Sequence, residues 1–263
     1  MLYNVLHGFH TTAAPFTLET ERLRMAQRLV HRASPDILAL NEACYGGANP
    51  YGVNVNYKGL FRYPYASFVR WGTHEWGNML LSRFPLRAVS MPLLNRTALR
   101  AYIDVRDASI CLDLLHFDPR ADPPAKVQSL KNLIPHEPRT YILAGDFNAV
   151  SPLDHYDEQT LTKGFTRLIG SPRPAAAYTH ALLDPSPITT VLGRGLVDAY
   201  TSSTRRQEPT VPTRLVKQGY ETDARVDFIF CSPDIGVRSA RIINTATADA
   251  ASDHYPVFAQ FSV

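Results

Sequence analysis

The chain has 263 residues, 45% hydrophobic and 19% charged, with 27 Lys and Arg against 24 Asp and Glu, a formal charge of +3. This apolar share supports a sizeable core and excludes a disordered chain, and the length suits one large layered domain over residues 1–263. The mild positive charge permits a polyanionic partner without requiring one. No apolar run nears the ~18 residues of a membrane span and no basic-then-apolar leader precedes the first strand, so a soluble cytoplasmic protein is expected.

Leu2-Tyr3-Asn4-Val5 reads as the first strand and carries Asn4. From Leu18 to Ala33, the residues Leu18, Arg22, Met25, Leu29 and Ala33 recur at mostly helical intervals, with Thr17 as the expected N-cap. Ser34-Pro35 ends that helix, because a residue before proline is pushed out of the helical region. Ile37 to Leu40 is apolar on both faces and hence a central strand, with Glu42 just beyond it. Gly77 to Leu86 contains a further strand that opens on Gly77-Asn78, and Leu112-Asp113-Leu114-Leu115-His116 ends another apolar run on a histidine. Val127, Leu130, Leu133 and Ile134 mark a second amphipathic helix. Tyr141 to Ala144 is a buried strand leading into Gly145-Asp146-Phe147-Asn148. The final strands are Arg225 to Cys231, which carries Asp227, and Val257 to Val263, which follows Ser252-Asp253-His254. Asp122-Pro123-Pro124 and Ser171-Pro172-Arg173-Pro174 read as rigid loops. Cys44, Cys111 and Cys231 are odd in number and lack a Cys-x-x-Cys spacing, so thiols are expected, buried at Cys111 and Cys231.

Asp146 and Asn148 carry the sharpest chemical signal. Side chains at i and i+2 of an extended chain point the same way, so this pair is expected to face one small hard target, with a plain turn as the structural alternative. Six apolar segments each present members of one small set, Asn, Glu, His and Asp, a repetition that independent turns do not explain.

Taken in order, Asn4, Asn41-Glu42, Gly77-Asn78, His116, Gly145-Asp146-Phe147-Asn148, Asp227 and Ser252-Asp253-His254 resemble the endonuclease/exonuclease/phosphatase superfamily over nearly the whole chain. The resemblance implies an α/β fold, a four-layer α/β/β/α sandwich of two packed mixed β-sheets with the catalytic residues at one rim. It implies phosphodiester hydrolysis dependent on Mg²⁺ or Mn²⁺, hard cations suited to oxygen ligands. Glu42 is then the leading metal ligand, Asn4 a ligand or water-orienting partner, and Asp253 a candidate second ligand. His254 is the general base or the group that binds the phosphate, with Asp227 orienting its ring. Asp146 orients or deprotonates the water, the Asn148 amide contacts a phosphate oxygen, and His116 stabilises transition-state charge or protonates the leaving oxygen. Asn78 is either a contact to His116 or substrate, or a turn residue.

Two departures narrow the substrate. Abasic-site enzymes of this superfamily carry an acid two residues after the first-strand Asn, where this chain has Leu6, and Asn41 stands where many members have Gln. Substrate choice is expected in three insertions, Ala43 to Tyr65, Tyr178 to Gly195 and Thr201 to Glu221. The first interleaves Tyr45, Tyr51, Tyr57, Phe61, Tyr63 and Tyr65 with Lys58 and Arg62; the third carries Arg205, Arg206, Arg214 and Lys217. Aromatics among cations can stack bases and hold phosphates, so nucleic acid, DNA or RNA, is the expected partner, with Arg205 and Arg206 as candidate contacts. A packed Tyr-rich loop and a solvated basic loop are the structural alternatives. His74-Glu75, like His7 and His10, reads as loop in preference to a metal pair. The competing functions are a phosphatase or phosphodiesterase for a small substrate and an inactive binding module of the same fold.

Overall fold

The computed structural model describes residues 1–45, 54–72, 75–106, 108–216 and 221–262. In chain order the strands are β1 (Leu2–Asn4), β2 (Ile37–Cys44), β3 (Tyr65–Arg70), β4 (Trp76–Ser82), β5 (Leu86–Leu93), β6 (Arg96–Val105), β7 (Ala108–His116), β8 (Tyr141–Asp146), β9 (Val197–Asp198), β10 (Asp227–Cys231), β11 (Gly236–Ile242) and β12 (Val257–Ser262). The helices are α1 (Thr20–Ala33), α2 (Tyr57–Phe61), α3 (Pro123–Leu133), α4 (Glu158–Ile169), α5 (Pro172–Leu183), α6 (Ser186–Gly193), α7 (Ala199–Ser203) and α8 (Ala246–Asp249).

Two six-stranded sheets run in the orders β11-β12-β1-β2-β4-β3 and β5-β6-β7-β8-β10-β9. Each is mixed in the same way: β1 pairs in parallel with β2, β7 pairs in parallel with β8, and the flanking pairs are antiparallel. The expected two-sheet sandwich is therefore the observed fold. The repeated plan relates the halves by a pseudo-twofold that the sequence does not display.

Alternation decides which face each side chain meets. On β8, Ile142 and Ala144 join the core between the sheets, while Tyr141 and Leu143 face a second core with Leu130 and Leu133 of α3 and Ile188 and Val191 of α6. On β10, Ile229 faces inward and Phe228 and Phe230 face the helices, where both rings pack against Phe147. β2 lies between β1 and β4, as its two apolar faces require.

Several local expectations are revised. The first helix starts at Thr20 with Glu19 at its N-cap, and the Thr17 hydroxyl bonds the Pro15 carbonyl instead of capping. The prolines of 122–124 and 171–174 open α3 and α5, where a first-turn proline removes an N–H that lacks an intrahelical partner anyway. The insertion from Tyr178 to Gly195 is mostly helix, in α5 and α6. Cys111 is half-buried, and only Cys44 and Cys231 are buried thiols. The last strand's Val263 lies outside the described residues.

Gly145 supplies a close approach that only glycine permits. Its φ is +153°, and a Cβ there would lie 2.0 Å from the Leu115 carbonyl oxygen of the neighbouring strand. Gly145→Ala should therefore destabilise the fold by about 3 kcal/mol, lowering Tm by roughly 8 °C in a thermal melt, with residual activity tracking the folded fraction.

Candidate active site

The C-terminal ends of the two parallel strand pairs meet across the sandwich. β1 ends on Asn4 and β7 on His116; β8 ends on Asp146; β2 carries Glu42 at a register shift between Leu40 and Ala43, where Glu42 has φ +59°. Asp227 starts β10 directly opposite Asp146, and His254 sits in the loop before β12.

Asp146 is the hub. Its Oδ2 accepts from Asn4 Nδ2 at 3.2 Å and lies 3.2 Å from His116 Nε2 and 3.8 Å from His254 Nε2. Its Oδ1 accepts the backbone N–H of Asn148 at 2.9 Å. The Asn4 amide also donates to Glu42 Oε1 at 3.3 Å, so it stands between the two carboxylates. Glu42 is half-buried, and its Oε2 takes the N–H of His7 at 2.8 Å. His254 Nδ1 donates to Asp227 Oδ2 at 2.7 Å, which leaves Nε2 facing Asn4 and Asp146. Asp146, Asp227 and His254 bring donor atoms within 4.8 Å of one another. Asp253 is half-buried beside them, with Oδ1 accepting from Ser252 Oγ at 3.3 Å.

The two histidines have opposite electrostatics. Burial drives His116 well below the usual imidazole range, and Arg96, His254 and Lys126 push it further the same way, so it is neutral. The tautomer that fits is Nε2–H donating to Asp146, because the buried Nδ1 has no partner among the described residues. Burial also disfavours the His254 cation, but Asp227, Asp253 and Asp146 outweigh it and hold the ring well above the ordinary value. Burial raises Asp146, and the Asp227 carboxylate adds to that effect.

The geometry revises three readings. Asn148 has φ +44° and follows the strand's end, so a turn closed by its own N–H onto Asp146, and not strand alternation, couples it to that carboxylate. Its side-chain amide reaches the Phe117 carbonyl at 2.9 Å and lies 3.3 Å from His116 Nε2. Asn78 is neither a turn residue nor a contact to His116. It lies wholly buried within β4, accepting from Asn41 Nδ2 at 2.7 Å and donating to the carbonyls of Thr97 and Leu114. Of the aromatic insertion, Tyr57, Phe61 and Tyr63 are core residues, whereas Tyr45 and Tyr65 are exposed. Arg205 and Arg206 are exposed in the loop after α7. Glu75 lies in the loop before β4, as read from the sequence, and is buried there; Tyr51, His74 and Lys217 lie outside the described residues.

Three side chains that the motifs do not mark complete the surroundings. Arg96 stacks over Trp71 at 4.3 Å, and Trp71 meets His116 edge-on at 4.7 Å. Arg96 also faces Glu42, Asp118 and Asp146. Lys126 is fully buried and donates to the Asn148 carbonyl at 2.7 Å, with burial bringing its pKa down to about 8. Its signal was present in the sequence: Lys126, Leu130 and Leu133 fall at i, i+4 and i+7, which puts a lysine on the apolar stripe of α3.

The donor set tests the fit of a hard cation. Asp146, Asp227 and His254 bring donor atoms within 4.8 Å of one another, the Asn4 amide links Asp146 to Glu42, sulfur is absent from the group, and among the described residues the buried Asp227 Oδ1 has no hydrogen-bond partner. Oxygen ligands of this kind suit a divalent ion such as Mg²⁺.

The sequence profile described as the Endonuclease/Exonuclease/phosphatase family matches residues 1–254. No curated protein matches. Among solved structures, an endonuclease/exonuclease/phosphatase from Beutenbergia cavernae DSM 12333 superposes with a TM-score of 0.66 at 18% identity, over 98% of this chain and 69% of that one. An AP endonuclease from Archaeoglobus fulgidus gives 0.63 at 18% identity over 99% and 98%. The 3′ phosphatase NExo from Neisseria, bound to a product DNA hairpin, gives 0.62 at 16% identity over 100% and 98%. At these identities the likeness concerns the fold.

The charge assignment is directly measurable. In chelator-treated protein the His254 ring should titrate above 6.5 by NMR, and Asp227→Asn should lower that midpoint by about one pH unit or more, since the Asp227 carboxylate favours the cation. An unmoved midpoint would remove Asp227 as its electrostatic partner.

Proposed function

Since the chain belongs to the endonuclease/exonuclease/phosphatase family and is a phosphoesterase, we propose that it hydrolyses phosphodiester bonds in DNA or RNA with Mg²⁺ or Mn²⁺ bound. The observation that carries this reading is the convergence of Asn4, His116 and His254 on the Asp146 carboxylate from both sheets, with Glu42 joined to it through the Asn4 amide. A phosphodiester anion repels an attacking oxygen, so a catalyst must offset charge, hold the water in line and take its proton.

Glu42, Asn4 and Asp253 would hold the metal, which supplies Lewis-acid neutralisation of phosphate oxygen when bound. Asp146 holds the attacking water and takes its proton. Its burial favours accepting that proton, and the Asn148 N–H fixes the carboxylate's direction. His254, kept cationic by Asp227, presents Nε2 to the phosphate. His116, neutral with Nε2–H toward the centre, donates to a phosphate or leaving oxygen once the substrate displaces its contact to Asp146. Asn148 shares that side of the site through its amide. Arg96, held flat by Trp71, adds a cation where a phosphate backbone would pass, and the exposed Arg205 and Arg206 extend the positive surface.

The neighbouring solved structures support a nucleic-acid substrate, since one is an AP endonuclease and another holds a DNA product. Residues 1–263 act as one catalytic domain in this reading. Among the described residues no helix is long and apolar enough to cross a membrane.

Purified protein with Mg²⁺ or Mn²⁺ should cut at least one of plasmid DNA, single-stranded DNA or RNA, and chelation should abolish cutting. His254→Ala and Asp146→Ala should each lower kcat by about 10³-fold while melting like the wild type. Turnover confined to small phosphate esters would move the assignment to a small-substrate phosphatase. Near-normal rates in both variants would refute these roles.

A further inference from the structure

Packing alone does not explain Lys126 of α3. Its side chain is 0% exposed and stands on the apolar stripe that Leu130 and Leu133 continue into the core against Tyr141 and Leu143 of β8. Lysine is almost never fully buried unless it is paired. Among the described residues this one has no ion pair, and its single hydrogen bond runs from Nζ to the Asn148 carbonyl at 2.7 Å. The Phe117 ring lies 6.0 Å from Nζ, at the outer reach of a cation–π contact. Asp146, Asp118 and Asp184 favour the cation and Arg96 opposes it, but burial is the largest influence and brings the pKa down to about 8. A methionine here would spare the fold the desolvation of a charge, so stability does not account for the lysine.

The other end of its hydrogen bond does. Asn148 leaves β8 with φ +44°, a left-handed conformation that asparagine tolerates but that its surroundings must select. Its N–H turns onto Asp146 Oδ1 at 2.9 Å. Its side-chain amide donates to the Phe117 carbonyl at 2.9 Å and lies 3.3 Å from His116 Nε2. The N–H fixes the peptide before Asn148, and the carbonyl fixes the peptide after it. Only Lys126 holds that carbonyl among the printed side-chain contacts of the described residues, and it reaches it from the helix layer behind β8.

We propose that Lys126 is a positioning residue of the reaction: its ammonium grips the Asn148 carbonyl and so holds the turn that aims both the Asn148 amide and the Asp146 carboxylate. This rests on the roles given above to Asp146 and Asn148. A lysine suits the task for two reasons. Its apolar stem crosses the helix-side core while only its tip is polar. A charged donor also makes a hydrogen bond about twice as strong as a neutral one.

The test is Lys126→Met, which keeps the stem and removes the donor, beside Lys131→Met, which alters an exposed lysine of the same helix. Hydrogen exchange followed by NMR in chelator-treated protein should show the Asn148 N–H exchanging about tenfold faster in Lys126→Met, with Leu143 and Ala144 of β8 unchanged. On the phosphate ester that the wild type turns over best, kcat should fall about 30-fold with KM within about threefold. Relief of the buried charge offsets the lost hydrogen bond, so Tm should stay within about 4 °C of wild type. Lys131→Met should match the wild type throughout. An unchanged Asn148 exchange rate, or an unchanged kcat, would overturn the proposal. Equal acceleration at Leu143 and Ala144 would make Lys126 a prop of the whole strand and also refute it. A wild type without turnover on nucleic acids or small phosphate esters would refute the proposed function, and the positioning role with it.

Discussion

Everything at the catalytic rim hangs on Asn41. Its side-chain oxygen accepts the backbone N–H of Asp146, and its amide donates to Asn78 on β4 and to the Leu115 carbonyl on β7. One fully buried carboxamide therefore ties two strands of one sheet to two strands of the other. A buried amide left unpaired would cost free energy, so each bond is needed, and the register between the sheets is fixed where the reacting groups must meet. Asn78 extends the same network to the carbonyls of Thr97 and Leu114, which explains why it lies too deep to touch a substrate.

With the sheets pinned there, the pseudo-twofold plan explains the composition of the site. Each sheet offers the ends of a parallel pair, Asn4 and Glu42 from one, His116 and Asp146 from the other. The two histidines, His116 at the end of β7 and His254 in the loop before β12, carry unlike chemistry because their neighbours differ. Both histidines are buried, yet His254 has Asp227 at 2.7 Å while His116 has Arg96 and Trp71 beside it. Burial holds one ring below the usual imidazole range while the surrounding acids hold the other above it, so one residue type supplies two different proton affinities.

Much of this was legible in the chain because period and motif act locally. The apolar runs at Ile37, Leu112, Tyr141 and Val257 became strands, and the residues at their ends came together. What escaped the sequence depends on distant packing. Tyr57, Phe61 and Tyr63 look like a base-stacking surface only until the core claims them. The proline pairs at 123–124 and 172–174 read as loops, since proline at the first turn and proline in a loop share one backbone angle. Asn148 could face the target with Asp146 by strand alternation or by a turn, and only the φ of +44° decides between them. Arg96 and Trp71 lie in strand-edge segments with no motif, and their partnership across 25 residues has no sequence signature.

Leu6 shows how a departure from a family pattern can be a substitution of means. Where abasic-site enzymes have an acid, this chain makes a left-handed turn, with φ of 41° at Leu6, 50° at His7, 59° at Gly8 and 66° at Phe9. Left-handed non-glycine residues cost on the order of 1 kcal/mol or more each, so the run persists only if its surroundings hold it. Arg22 does so: from the buried face of α1 it donates to the carbonyls of Val5, Leu6 and His10, and to Ala251 in the loop that leads to Asp253 and His254. The turn in return aims the Leu6 N–H at Asn4 Oδ1 and the His7 N–H at Glu42 Oε2. Two backbone donors thus orient the amide and carboxylate proposed to hold the metal, and the arginine that fixes the turn also fixes the loop bearing the histidine. Arg22 thus couples the turn beside Asn4 and Glu42 to the loop that bears Asp253 and His254, on the side of the site that the first sheet supplies.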